Sequence, residues 1–136
     1  VKFYTQMSAH LVQVITITVA ALLLLTSLLS LAHEKSADVN AVTAWEYIEQ
    51  GATIIDVRSA EEFASGHLEG AKNIPFDNIV SGVSKLELAK DSKILLYCRS
   101  GRRSAIAQAS LIEAGYSATL NGGGYDSLTV KPEAAH

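Results

Sequence analysis

Two kinds of apolar run divide the chain. Val12 to Leu31 is long, twenty residues without a charge, about the length that crosses a bilayer as one helix. The other runs are short and β-branched. Thr53-Ile54-Ile55-Asp56-Val57 and Lys93-Ile94-Leu95-Leu96-Tyr97 are apolar at consecutive positions, as strands covered on both faces of a parallel sheet are. Thr43, with Glu46 three residues on, reads as a capping box opening a helix to Gln50, stopped by Gly51. Trp45 and Ile48 would share its inner face. Ser59 to Glu62 is a second capping box, opening a short helix that ends before Gly66. Arg103 to Ala114 reads as a helix whose inner face is drawn from Ala105, Ala109, Ile112 and Leu111, with Gly115 as its stop. Ser117 to Leu120 suggests a further strand, and Gly122-Gly123-Gly124 a turn of free backbone. Asp126 to Val130 would be a last helical turn. Strand and helix signals alternate, so the predicted fold is α/β, with a mostly parallel central sheet flanked by helices.

The long apolar run adds an expectation about location. Lys2 and His10 precede it, and Glu34, Lys35 and Asp38 follow. This weak charge bias favours an amino terminus inside and a domain outside the cytoplasm. Ser30-Leu31-Ala32 has the small-x-small pattern of a signal-peptidase site. Residues 1–32 are therefore expected to be a signal peptide or a membrane anchor, with contact to the membrane through Val12 to Leu31. The domain would then be exported, either periplasmic or anchored on the non-cytoplasmic side. A core helix of a soluble domain is the plainer alternative. Residues 33–40 read as a polar linker and 132–136 as a tail.

Composition narrows the chemistry. A formal charge of -3 gives no basic footprint for nucleic acid. The single cysteine excludes an internal disulfide and a cysteine-rich metal cluster. The histidines at 10, 33, 67 and 136 have no ligand-like spacing, so no metal site is expected.

That one cysteine, Cys98, follows the second strand in LLYCRSGRRS. The carboxyl end of a parallel strand lies on the ligand-binding edge of the sheet. The residues RSGRR can curl around the sulfur, with Gly101 permitting the turn. Backbone N–H groups, the start of the next helix and nearby arginines all favour a thiolate. The plainer alternatives are an inert buried thiol and arginines that are ordinary solvated surface. Arg103 is the strongest arginine candidate, since it begins the helix over the sulfur.

IIDVRSAEEFASGHLEGAKNIP (Ile54 to Pro75), the loop CRSGRRS and the late NGGGYDSL (Asn121 to Leu128) together carry a resemblance. In this order and spacing the sequence resembles a single-domain rhodanese, especially the small exported type related to phage shock protein E. Rhodanese domains carry D-V-R, then E-F or E-Y, then G-H-I-x-G-A-x-N-I-P; here Leu68 replaces the usual isoleucine. The resemblance covers about Thr43 to Val130 and leaves out the long apolar run.

It implies a rhodanese-like domain over residues 41–131. The implied enzyme is a thiosulfate sulfurtransferase moving a sulfane sulfur from thiosulfate or a similar donor to cyanide or a thiol. Cys98 would carry the sulfur as a persulfide, cradled by Arg99, Ser100, Gly101, Arg102 and Arg103. Asp56 and Arg58 match shared family positions and are expected to support the loop. Local capping by Asp56, and pairing of Arg58 with Glu61 or Glu62, are the alternatives. His67 is expected to be structural. The partners implied are a small anionic donor and an external acceptor, with no metal or organic cofactor. Other functions on this fold are a non-catalytic binding or sulfur-carrier module and a cysteine-dependent phosphatase or arsenate reductase. Such phosphatases place an arginine six residues after the cysteine, where this chain has Ser104.

Overall fold

A computed structural model describes residues 9–21 and 39–133. The chain divides into two units, one through Ser36 and one from Ala37.

In the first unit the described residues form one helix, α1 (residues 9–21). The hydroxyls of Thr16 and Thr18 donate back to the carbonyls of Val12 and Val14, four residues earlier. Thirteen residues at about 1.5 Å each rise only about 20 Å, against a hydrocarbon core of about 30 Å. Among the described residues no helix is long and apolar enough to cross a membrane. This corrects the expectation of an apolar signal peptide or transmembrane helix before the domain. The expected membrane contact through Val12 to Leu31 is withdrawn with it, as are the exported, periplasmic and membrane-anchored placements. Residues 22–31 of that run, and the Ser30-Leu31-Ala32 pattern, lie outside the described residues.

The second unit is built on a sheet of four parallel strands, β1 (Thr53–Asp56), β2 (Lys72–Asn73), β3 (Ile94–Cys98) and β4 (Thr119–Gly124). Their spatial order is β2-β1-β3-β4. Every residue of β3 is buried, because helices cover both faces of this inner strand, and that is why its sequence reads as an unbroken apolar run. Side chains alternate across it. Ile94, Leu96 and Cys98 join Ile55 and Val57 on one face, under α4 (Ile79–Ser84) and α5 (Arg102–Glu113). Leu95 and Tyr97 point to the other face, under α2 (Val39–Glu49) and α6 (Tyr125–Leu128).

Several local expectations change. Helix α2 starts at Val39, ahead of Thr43. Ala41 and Ala44 are buried and Ile48 packs beside them. That i, i+3, i+7 row carries the helix about one turn past the residue read as its cap. The second capping box is present. The Ser59 hydroxyl accepts from the Glu62 N–H, and the Glu62 carboxylate accepts from the Ser59 N–H, at the start of α3 (Ala60–Ala64). In α5 the inward residues are Ser104, Ala107 and Leu111, whereas Ala105, Ala109 and Ile112 are exposed. No sequence pattern marks β2, the short 3-10 turn Phe76–Asn78 or α4. The mid-helix Gly82 of α4 argues against a helix on propensity alone. Packing requires it, since a Cβ there would lie 2.3 Å from the Ile74 side chain.

The triple glycine is strand, not a turn. Leu96 pairs with Asn121 but Cys98 pairs with Gly124, so β4 carries one extra residue at a bulge. Gly123 takes the positive φ there, +85°. A Cβ on Gly124 would come within 2.7 Å of the Arg99 carbonyl oxygen. Only glycine lets this strand press against the cysteine loop.

Candidate active site

Cys98 ends β3 on the α5 side of the sheet, with its residue almost fully buried. The next three residues turn the chain into α5. Gly101 holds φ at +88°, a left-handed conformation that disfavours side chains. This turn aims the Gly101 N–H at the sulfur, 3.0 Å from Sγ. The Ser104 hydroxyl lies 3.5 Å from Sγ. Burial pushes the Cys98 thiol up. Hydrogen bonds from the Ser104 hydroxyl, then from the N–H groups of Ser104, Ser100 and Gly101, outweigh it and hold the thiol below its ordinary value. The rate of Cys98 alkylation by a small reagent should therefore have its pH midpoint below the free-thiol value of about 8.5. A midpoint above that value would show that desolvation prevails over these donors.

The three arginines separate. Arg99 and Arg102 are exposed, and among the described residues neither has an ion pair. Arg103 is turned to Glu62. Its two terminal nitrogens donate to the two carboxylate oxygens at 2.7 and 2.9 Å. The Arg103 hydrogen bond, followed by the Ser59 N–H, holds Glu62 down to about 2. The pair is thus intact above the ordinary carboxylate range and is lost only as the pH falls through about 2. With both side chains near one-third exposed, it contributes little to global stability. It does tie α3 to the first turn of α5.

Asp56 and Arg58 lie across the sheet, on the Tyr97 face. Arg58 donates through its backbone N–H to Asp56 Oδ1 at 2.9 Å and through Nη2 to Oδ2 at 2.6 Å. The same Nη2 donates to the Gly66 carbonyl at 2.6 Å, and the guanidinium sits 4.4 Å from the Tyr125 ring centroid. Both residues are buried. The Asp56 hydrogen bonds raise Arg58 above its ordinary value against the opposing effect of burial. The partner of Arg58 is therefore Asp56, not Glu61 or Glu62. The Asn73 amide donates to the Asp56 and Arg58 carbonyls at 3.1 and 3.0 Å, fixing the chain beyond β1. His67 is exposed, stacked on Phe63 with Nδ1 at 2.9 Å from the Phe63 carbonyl oxygen.

Two residues at the site escape the sequence reading. Ser104 is fully buried beneath the loop. Asn121, from β4, accepts from the Ser104 hydroxyl at 2.7 Å and from the Gly123 N–H at 3.0 Å. Its amide nitrogen donates to the Gly101 carbonyl at 3.0 Å. The one signal for Ser104 is its spacing of three and seven from the buried Ala107 and Leu111. For Asn121 the signal is a polar residue directly before the glycine run of a half-buried strand.

A family model described as Rhodanese-like domain matches residues 40–130. Thiosulfate sulfurtransferase PspE of Escherichia coli is 32% identical over 103 residues, covering 76% of this chain and 90% of that protein. Thiosulfate sulfurtransferase 18 of Arabidopsis thaliana is 36% identical over 106 residues, covering 68% of this chain and 77% of that one. Among solved structures, a rhodanese with anions from E. coli aligns with a TM-score of 0.56 at 32% identity, over 60% of this chain and all of that one.

Proposed function

This chain belongs to the rhodanese-like family, and from that premise we propose that it is a sulfurtransferase working through a persulfide on Cys98. The observation that carries the reading is the convergence of the Gly101 N–H and the Ser104 hydroxyl on a buried sulfur at the end of the central strand. The Cys98 thiolate attacks the outer sulfur of thiosulfate. The S–S bond of the donor breaks, its electron pair leaves with sulfite, and the carried sulfur stays on Cys98 as a persulfide anion. An external acceptor, a thiol or cyanide, then removes that sulfur. Names of similar proteins support thiosulfate as the donor. The domain doing this work is taken as residues 41–131. Intact mass spectrometry tests the reading: thiosulfate should add one sulfur atom, and cyanide should remove it. An unchanged mass on a folded protein with an alkylatable thiol refutes it.

Arg99 and Arg102 are assigned to donor capture, because both are exposed at the loop and, among the described residues, neither has an ion pair. Arg103 contributes less, because Glu62 neutralises it. Alanine at 99 or 102 should raise the Michaelis constant for thiosulfate by about three- to tenfold, with little change in melting temperature. Alanine at 103 should disturb the Michaelis constant less, since its main contact is with α3. Steady-state kinetics at low and high salt check this. Equal Michaelis constants for the parent and both exposed-arginine variants would return these side chains to ordinary surface. In this reading Asp56 and Arg58 hold the loop indirectly, by fixing the ends of β1 and β3 from the opposite face.

A further inference from the structure

The Ser104 hydroxyl has one proton and three acceptors within reach: Cys98 Sγ at 3.5 Å, the Gly101 carbonyl at 3.0 Å and Asn121 Oδ1 at 2.7 Å. Asn121 Oδ1 does not depend on that proton, since the Gly123 N–H also donates to it at 3.0 Å. The hydroxyl can therefore turn away from Asn121 without leaving a buried acceptor unpaired. Conversely, it has a good partner when the sulfur carries no charge. Both residues are held against rearrangement: Ser104 by the first turn of α5, and Asn121 by its bond to the Gly101 carbonyl.

We propose that Ser104 is a catalytic residue for the second half of the sulfur-transfer cycle, a two-position donor to the departing Cys98 sulfur, with Asn121 as its positioning residue. The proposal rests on the persulfide reading and assigns it an asymmetry. In the loaded enzyme Sγ is bonded to the carried sulfur and is uncharged, so the hydroxyl donates to Asn121. The outer sulfur, left as an anion by loading, takes a proton from water, and cyanide then attacks it as the hydropersulfide. A carbon–sulfur bond forms, the Sγ–S bond breaks, and its electron pair stays on Sγ. The proton of the outer S–H passes to water, leaving thiocyanate and the Cys98 thiolate. Charge appears on Sγ in this step, and rotation of the Ser104 hydroxyl meets it. In the first half the charge leaves Sγ, so a donor there gives the attack no assistance.

Single-turnover measurements separate the halves. The full chain is loaded with thiosulfate and followed by intact mass, then discharged with cyanide and followed by thiocyanate release. Measured at a pH above both alkylation midpoints, where Cys98 is ionised in parent and variant alike, Ser104→Ala should load at the parent rate or faster and discharge about tenfold more slowly, the effect of one hydrogen bond to a charged group. Its alkylation midpoint should move up, and Ser104→Thr, which restores the hydroxyl, should recover discharge. Asn121→Asp, similar in size, offers a charged acceptor that draws the hydroxyl proton away from sulfur, and gives up the bond to the Gly101 carbonyl, so its loading rate serves as the control for a disturbed loop. It too should slow discharge, and it decides the matter if Ser104→Ala does not fold. Discharge at the parent rate in a folded variant, or loading slowed as much as discharge, overturns the proposal. A parent that never takes up sulfur is a different failure, since it refutes the persulfide reading itself.

Discussion

A Cys98→Ser variant should form no thiocyanate from thiosulfate and cyanide above background, a loss of at least about a thousandfold. Serine is smaller and keeps a polar atom where the Gly101 N–H already points, so the fold should survive. At neutral pH its hydroxyl is not ionised, and it forms no sulfane bond by displacement. Thiocyanate release and thermal melting, measured on the same sample, check both halves of the expectation. Residual turnover close to the parent would mean that the sulfur is carried elsewhere, and the function proposed for this loop would fall. The companion Cys98→Ala guards against the serine oxygen forming new bonds in the cradle.

The second large effect is on stability. Asp56→Ala should destabilise the domain by about 3–5 kcal/mol, because it leaves the Arg58 guanidinium buried without its carboxylate. The Gly66 carbonyl and the Tyr125 ring remain as partners, but neither carries a full negative charge. For a domain of this size the melting temperature should fall by more than about 10 °C. Removing both charges, as in Asp56→Val with Arg58→Met, should cost less than the single change, since no unpaired charge is then buried. Urea unfolding of the two variants tests this. A double variant less stable than the single would show that the pair is more than mutual compensation. Asp56→Ala should also impair sulfur transfer, if only by loosening the ends of β1 and β3.

What the sequence discloses follows from how local each signal is. Residues Ile94 to Tyr97 announce a buried strand because both faces of β3 are covered. Ser59 and Glu62 announce a helix start because their capping contacts span only three residues. The cysteine at a strand end, followed by glycine, places the sulfur in a turn. What is hidden depends on contacts distant along the chain. Arg103 meets Glu62 forty-one positions away, so the sequence offers it as a third free cation. Asn121 reaches Ser104 across seventeen positions. The rotation of α5 is set by Ser104 turning under the sulfur, which a count of apolar residues misses because the inward residue is a serine. Gly122 to Gly124 suggest a turn on composition, whereas their smallness serves close strand-to-loop contact. The long apolar run misleads in another way: twenty uncharged residues satisfy a length rule, but among the described residues no helix is long and apolar enough to cross a membrane.

The covering of β3 on both faces also sets an order of unravelling. The amides of Leu95, Leu96 and Tyr97 lie between β1 and β4, with core on either side. Such positions exchange hydrogen with solvent only when a whole domain opens, whereas loops and edges exchange through small local openings. The cysteine is the last residue of that doubly covered strand, while Arg99, one residue on, is already at the surface. The Cys98 sulfur is therefore expected to be attached to the most persistent part of the protein, and the arginines proposed to meet the donor to belong to its fast-opening margin.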